Sequence, residues 1–276
     1  MKSIQYYIIA VAQLVCGVLF AQTSYGADAE TTAQACWDEA LAAYAEKNYD
    51  EAIEKLEYVV TLGYGSEDVY YNLANAYFKR GQSLNLATGR SFANGELGRA
   101  VLNYRRALKI DPSMEDARYN LDLAVDHTND TRSLPESLVE SLWASIRDMA
   151  SSNSWAICSI IALVVSLATT LLYLLSQRIV VRKAAFSVAI VMLIAFIATT
   201  ALAISQRNAQ QDDSCAVVVC NDTTPVHASP DSSSKIIRQP SQGVTLNVVR
   251  THGDWSEILF ADGEKGWIRS SVIERV

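Results

Sequence analysis

Histidine is scarce in this 276-residue chain: three residues, His127, His227 and His252, lie in different segments. Of the five cysteines, Cys16 and Cys158 sit inside apolar runs and Cys36 stands alone. A zinc site needs about four nitrogen or sulfur ligands in one place, and none gathers here. There is no Gly-Lys-Ser/Thr phosphate cradle and no serine or cysteine in a nucleophile motif. Lysine and arginine total 23 against 30 acids, for a net charge of −7, and neither candidate domain carries a basic cluster. Nucleic-acid binding needs such clusters to neutralise phosphates, so it is excluded. These absences predict a binding protein rather than an enzyme, with no catalytic, cofactor or metal residues.

What the chain has in excess is apolar residues, half of the total, gathered in three runs. The first follows Lys2, runs from Tyr6 to Phe20 with only Gln13 interrupting, and ends in small residues around Ala21. That is the layout of a secretion signal over 1–21. Gln13-Leu14-Val15-Cys16 is a weak lipobox, and an uncleaved anchor is the rival reading. The second and third runs, 155–176 and 184–204, hold no charged residue. Each is long enough, at about 1.5 Å per residue, to cross a hydrocarbon core of roughly 30 Å. Their link, 177–183, carries Arg178, Arg182 and Lys183 and no acid. Positive charge stays on the cytoplasmic side, which predicts a cytoplasmic hairpin tip and both flanking domains outside. Trp155 fits the aromatic belt at a span's edge.

Between signal and hairpin, residues 28–130 read as helical repeats. Tyr71-Asn72-Leu73-Ala74-Asn75-Ala76-Tyr77-Phe78-Lys79-Arg80-Gly81 has the first-helix pattern of a tetratricopeptide repeat. Glu96 to Pro112 supplies the second helix, with Ala100, Tyr104 and Ala107 as its packing stripe and Pro112 as its stop. An earlier copy spans Ala40 to Val60, with a turn at Asn48, and a partial third copy spans Glu115 to Val125. Two repeats and a capping helix make a short stack, because such units bury their faces only against neighbours. The polar segment Gln82 to Gly95 interrupts the second repeat and reads as a solvated loop or a partner-contacting one. Trp37, Leu41, Tyr44, Tyr71, Asn75, Phe78 and Lys79 are the candidate lining of a concave partner groove, or else pack between helices. The stretch 133–150 opens with capping-box spacing at Ser133 and Glu136. It places Leu138, Leu142, Ile146 and Met149 on one face, for the bilayer interface or for the last repeat helix.

After the hairpin the period becomes strand-like, over 214–276. Short β-rich runs at Ala216 to Val219, Thr245 to Val249, Trp255 to Phe260 and Gly266 to Ile268 alternate with turn signals, which predicts a small all-β barrel. Cys215 and Cys220 are either a local disulfide or two thiols. Gly253-Asp254-Trp255 and Gly266-Trp267-Ile268, with Val226-His227-Ala228-Ser229-Pro230-Asp231, resemble a bacterial SH3 domain. His227 stands where that pattern usually has an arginine. The resemblance implies binding of protein partners or of cell-wall peptides (peptidoglycan), with Trp255 and Trp267 as the candidate face.

The whole order, signal, repeats, two spans and SH3-like domain, resembles the BatE family, the tetratricopeptide component of the Bat aerotolerance operon. The resemblance implies a scaffold in the bacterial inner membrane with both domains periplasmic. It also implies von Willebrand-type membrane proteins and a MoxR-type ATPase as partners, in stress tolerance or envelope maintenance. A cell-wall sensor acting through the SH3-like domain is the alternative.

Overall fold

A computed structural model describes residues 29–88, 92, 95–128, 138–220, 224–260 and 262–276. The expected signal (1–21) and the capping box at 133–136 lie outside them.

Five helices form the first unit: α1 (29–45), α2 (Tyr49–Thr61), α3 (Glu67–Thr88), α4 (Glu96–Ile110) and α5 (Glu115–Asp126). The turn before α2 is set locally. Lys47 takes a left-handed φ of 63°, and the Asn48 side chain caps the helix by accepting from Glu51 N. Small residues let the helices approach closely: Ala40, Ala52, Ala74, Ala76, Ala100 and Ala107 are all fully buried. Tyr104, the one bulky member of the α4 stripe, is 1% exposed. Helix α3 runs seven residues beyond Gly81, so Gln82–Thr88 are helical rather than a loop. Gly81 is required there, because a Cβ would lie 2.5 Å from the Phe92 ring.

Helix α6 (Leu138–Arg147) leads to a hairpin of α7 (Ser152–Leu175) and α8 (Ile179–Gln211). The link is shorter than its charge pattern suggested. Arg182 and Lys183 already belong to α8, and Arg178 is its N-cap. Small residues are buried along the pair, Ser159, Ala162 and Ser166 of α7 and Ala185 and Ala189 of α8, and Ser166 Oγ donates to Ala189 O at 3.1 Å. The outward faces stay uncovered, with only 11% and 6% of the most apolar windows buried. Both helices are long and apolar enough to cross a membrane. Helix α6 packs beside α8, Trp143 Nε1 donating to Ser205 Oγ at 3.3 Å, and leaves Leu142 and Ile146 exposed, as is Met149 just beyond it.

The C-terminal unit is one antiparallel sheet. Its strands are β1 (Cys215–Val218), β2 (Val226–His227), β3 (Ile236–Arg238), β4 (Thr245–His252), β5 (Trp255–Leu259), β6 (Lys265–Arg269) and β7 (Ile273–Arg275), in the order β3-β2-β6-β5-β4-β1-β7. Gly243, Gly253 and Gly263 have φ of 82°, 57° and 83°, the left-handed values that turns ask of glycine. Ala216, Val218, Leu246, Ile258 and Ile268 form its core.

Strand β1 is buried on both faces. Ala216 and Val218 face the β core, whereas Val217 belongs to the helical core with Leu97 and Val101. The sheet therefore docks on α4. Gly98 is the contact point: a Cβ there would sit 2.5 Å from Val218 O. Arg106 pairs with Glu274 at 2.8 Å, Lys109 with Asp213 at 2.9 Å, and Gln242 Nε2 donates to Phe92 O. The short helical stack is thus covered by the β unit.

Candidate functional site

Two surfaces could receive partners, one on each unit. On the helical unit, Trp37 lines an open cleft of about 510 Å³ between α1 and the α2–α3 turn, with Gln34, Val59, Tyr64 and Val69. Glu30 and Asp68 give its rim a negative charge. Leu41, on the same helix as Trp37, is 38% exposed. Tyr44 is half-buried edge-on to the Tyr49 ring, and burial raises its phenol pKa.

The remaining candidate residues hold the helices together or face away. Asn75 Oδ1 accepts from Tyr104 Oη at 2.6 Å and from Asn120 Nδ2 at 3.0 Å, joining α3, α4 and α5. Asn120 also reaches Tyr71 Oη at 3.3 Å. Phe78 is buried against the rings of Phe92 and His127, so it offers no surface to a partner. Lys79 is exposed beside Gln82. The cleft residues Gln34, Val59 and Tyr64 escaped sequence reading, because they come together only through the α2–α3 turn.

A buried carboxylate sits nearby. Glu96 is 2% exposed and pairs with Arg80 at 3.0 Å, while its Oε2 has no hydrogen-bond partner. Burial holds its pKa above the ordinary value of 4.5, against the pull of Arg80 and Arg99. The folded chain therefore binds this proton more tightly than the unfolded chain does. Its contribution to stability is full below pH 4.5 and is lost as pH rises through the raised native value. Glu96→Gln should flatten that part of the profile, and since Arg80 keeps Asp50 at 2.9 Å the fold should survive. Urea unfolding of both chains at mildly acid and neutral pH checks this; parallel pH profiles would refute it.

On the β unit, register brings the two candidate tryptophans to one face. Trp255 lies opposite Arg269, and Trp267 lies opposite Glu257 on one side and His227 on the other. Trp255 is only 8% exposed, because the Arg269 guanidinium lies 4.4 Å over its ring and His227 meets it edge-on at 5.3 Å. Trp267 is half-buried under Arg250, which also binds Glu257 at 2.6 Å. The result is an aromatic face with arginines stacked on it. His227, where an arginine was expected, points Nδ1 at Ser234 O at 3.1 Å and so ties the β2–β3 turn.

Residues 222–274 match the family described as a bacterial SH3 domain. Strand β1, which completes the SH3 sheet and carries it onto α4, precedes the matched segment. No curated protein matches the chain. No disulfide joins Cys215 to Cys220, and the Cys220 thiol lies 2.6 Å from Thr224 Oγ1.

Proposed function

We propose that this chain is a non-enzymatic, membrane-anchored scaffold whose helical pairs and SH3 domain together bind protein partners outside the cytoplasm. The observation that carries this reading is the uncovered apolar surface of α7 and α8, flanked on both sides by units bearing open binding surfaces. A soluble hairpin of that composition would hide its apolar faces, since large exposed apolar patches mark membrane or partner contact. The exposed Leu142 and Ile146 of α6, with Met149 just after it, support a helix lying in the interface beside the first span. Arg178, Arg182 and Lys183 gather at the hairpin's closed end, which supports a cytoplasmic tip. The helical pairs and their SH3 partner also agree with a BatE-type tetratricopeptide scaffold, working with von Willebrand-type membrane proteins and a MoxR-type ATPase.

Two measurements test the reading. The full chain should resist alkaline carbonate extraction, and a phosphatase fused after Val276 should be active only if it is exported. A cytoplasmic C-terminus would end the proposal. For binding, Trp37→Ala and Trp267→Ala should each weaken capture of a crosslinked membrane partner by about 30-fold, as loss of an interface tryptophan typically does. If Trp267→Ala instead abolishes co-sedimentation with purified cell wall and leaves protein capture intact, the SH3 domain acts as a peptidoglycan reader rather than a scaffold face.

A further inference from the structure

A cavity of about 330 Å³ lies where α4, α5, the end of α6, the end of α8 and the C-terminus meet. Four basic side chains line it, Arg105, Lys109, Arg118 and Arg147, with Asp148, Asp212, Cys215, Val276, Gln206 and Gln210. Two of the cations are already matched. Arg147 grips Asp148 at 2.7 Å, and Lys109 donates to Asp213, to Asp212 O at 3.1 Å and to Val276 O at 2.9 Å. Asp212 accepts from Ser214 N at 2.9 Å. Arg118 donates to Pro112 O, and neither it nor Arg105 forms an ion pair among the described residues. Arg105 Nε is buried with no hydrogen-bond partner. Gln206, 3% exposed, leaves a buried Oε1 equally without one. A buried donor or acceptor left unmet is costly, more so when charged, so both groups favour an occupant. It must offer an anionic acceptor to Arg105 and a donor to Gln206.

We propose that this cavity binds a phosphate ester carrying a hydroxyl or ammonium donor, in its setting the headgroup of a membrane phospholipid. Position selects the source, and this step rests on the membrane reading above. The apolar run of α8 ends at Ile204, and at about 1.5 Å per residue Gln206 and Gln210 lie roughly 3 and 9 Å farther along the helix. The headgroup layer spans about 5–7 Å outside the hydrocarbon core, so the cavity mouth meets it. Burial lowers the Arg105 pKa, outweighing the opposite pull of Cys215 and Asp122. A phosphate oxygen on Arg105, with Arg118 at the exposed rim, supplies the anionic acceptor, and the headgroup hydroxyl or ammonium reaches Gln206.

The full chain in nanodiscs of equal parts phosphatidylglycerol and phosphatidylcholine, released for native mass spectrometry, tests this. Phosphatidylcholine has the phosphate but no headgroup donor. Wild type should keep one phosphatidylglycerol in preference to phosphatidylcholine. Arg105→Met should reduce retention about tenfold or more, as loss of a charge-assisted hydrogen bond does. Arg118→Gln, at the exposed rim, should act in the same direction without threatening the fold. Gln206→Leu should erase the preference between the two lipids while retention persists. Equal retention of both lipids by wild type, or an unchanged preference in all three variants, overturns the proposal. Displacement of the lipid by equimolar glycerol 1-phosphate or inorganic phosphate overturns the lipid as source. Carbonate extraction of the wild type judges membrane insertion separately.

Discussion

Gly98→Leu should undock the SH3 domain from the helical pairs and turn a single cooperative unfolding transition into two. The backbone carbonyl of Val218 occupies the space a side chain would need, only 2.5 Å from the ideal Cβ, and Val219 Cα follows at 3.0 Å. Neither atom is the loose end of a side chain, so relief requires the whole of β1 to retreat. Overpacking of this kind costs about 1–3 kcal/mol. Retreat also weakens what depends on the docked position: Val217 in the helical core, Arg106 on Glu274 and Lys109 on Val276 O. Gly98→Ala is the sharper comparison. In an exposed helix that change stabilises by about 1 kcal/mol, so a net loss would show that the strand's proximity outweighs helix propensity. The check is far-UV dichroism for the helices against tryptophan emission from Trp255 and Trp267, with Trp37, Trp143 and Trp155 changed to phenylalanine in every chain compared, during one thermal ramp. Coincident transitions in Gly98→Leu at the wild-type temperature would refute the docking.

Tyr104→Ala should cost about 3–5 kcal/mol, the range for deleting a large buried aromatic side chain. The side chain sits at the centre of the helical unit, 1% exposed, with its ring 6.2 Å from that of Tyr71 and its hydroxyl on Asn75. Tyr104→Phe separates packing from polarity. It keeps the ring and loses one hydrogen bond, about 1 kcal/mol, because Asn75 Oδ1 still accepts from Asn120. Burial also lifts the phenol's pKa far above the ordinary 10.0, so the hydroxyl stays a donor throughout the usable pH range. Urea unfolding of the three chains measures both steps, and a Tyr104→Ala loss no larger than that of Tyr104→Phe would sink the packing account.

Much of this architecture is visible in the sequence because its signals are local. The Ala100, Tyr104 and Ala107 stripe follows helical period, Asn48 and Pro112 mark helix ends, and uncharged runs announce α7 and α8. Strands β2 and β3, two and three residues long, are too short for periodicity to register. The extension of α3 was hidden by polar residues, which a helix carries as readily as a loop does. The docking of the two units was legible only in hindsight. Ala216-Val217-Val218-Val219 shows no polar alternation, which is what a strand covered on both faces requires. Gly98 stands inside the first turn of α4, where glycine weakens the helix unless something needs the room. The aromatic groove was legible only in part, since sequence spacing could not tell Trp37, at a cleft, from Phe78, beneath a second ring.

Helix α8 runs unbroken for 33 residues and passes to β1 through Asp212, Asp213 and Ser214 alone. At about 1.5 Å per residue it is a rod of roughly 50 Å. If α8 spans a bilayer as proposed above, a hydrocarbon core of about 30 Å is shorter than this rod, so the helix must lean or protrude. Lys109 bolts its far end to α4 through Asp212 O and Asp213. In the proposed membrane setting, a change of tilt of α8 would therefore move both candidate surfaces together, because Asp212–Ser214 and the Lys109 contacts tie its end to both units.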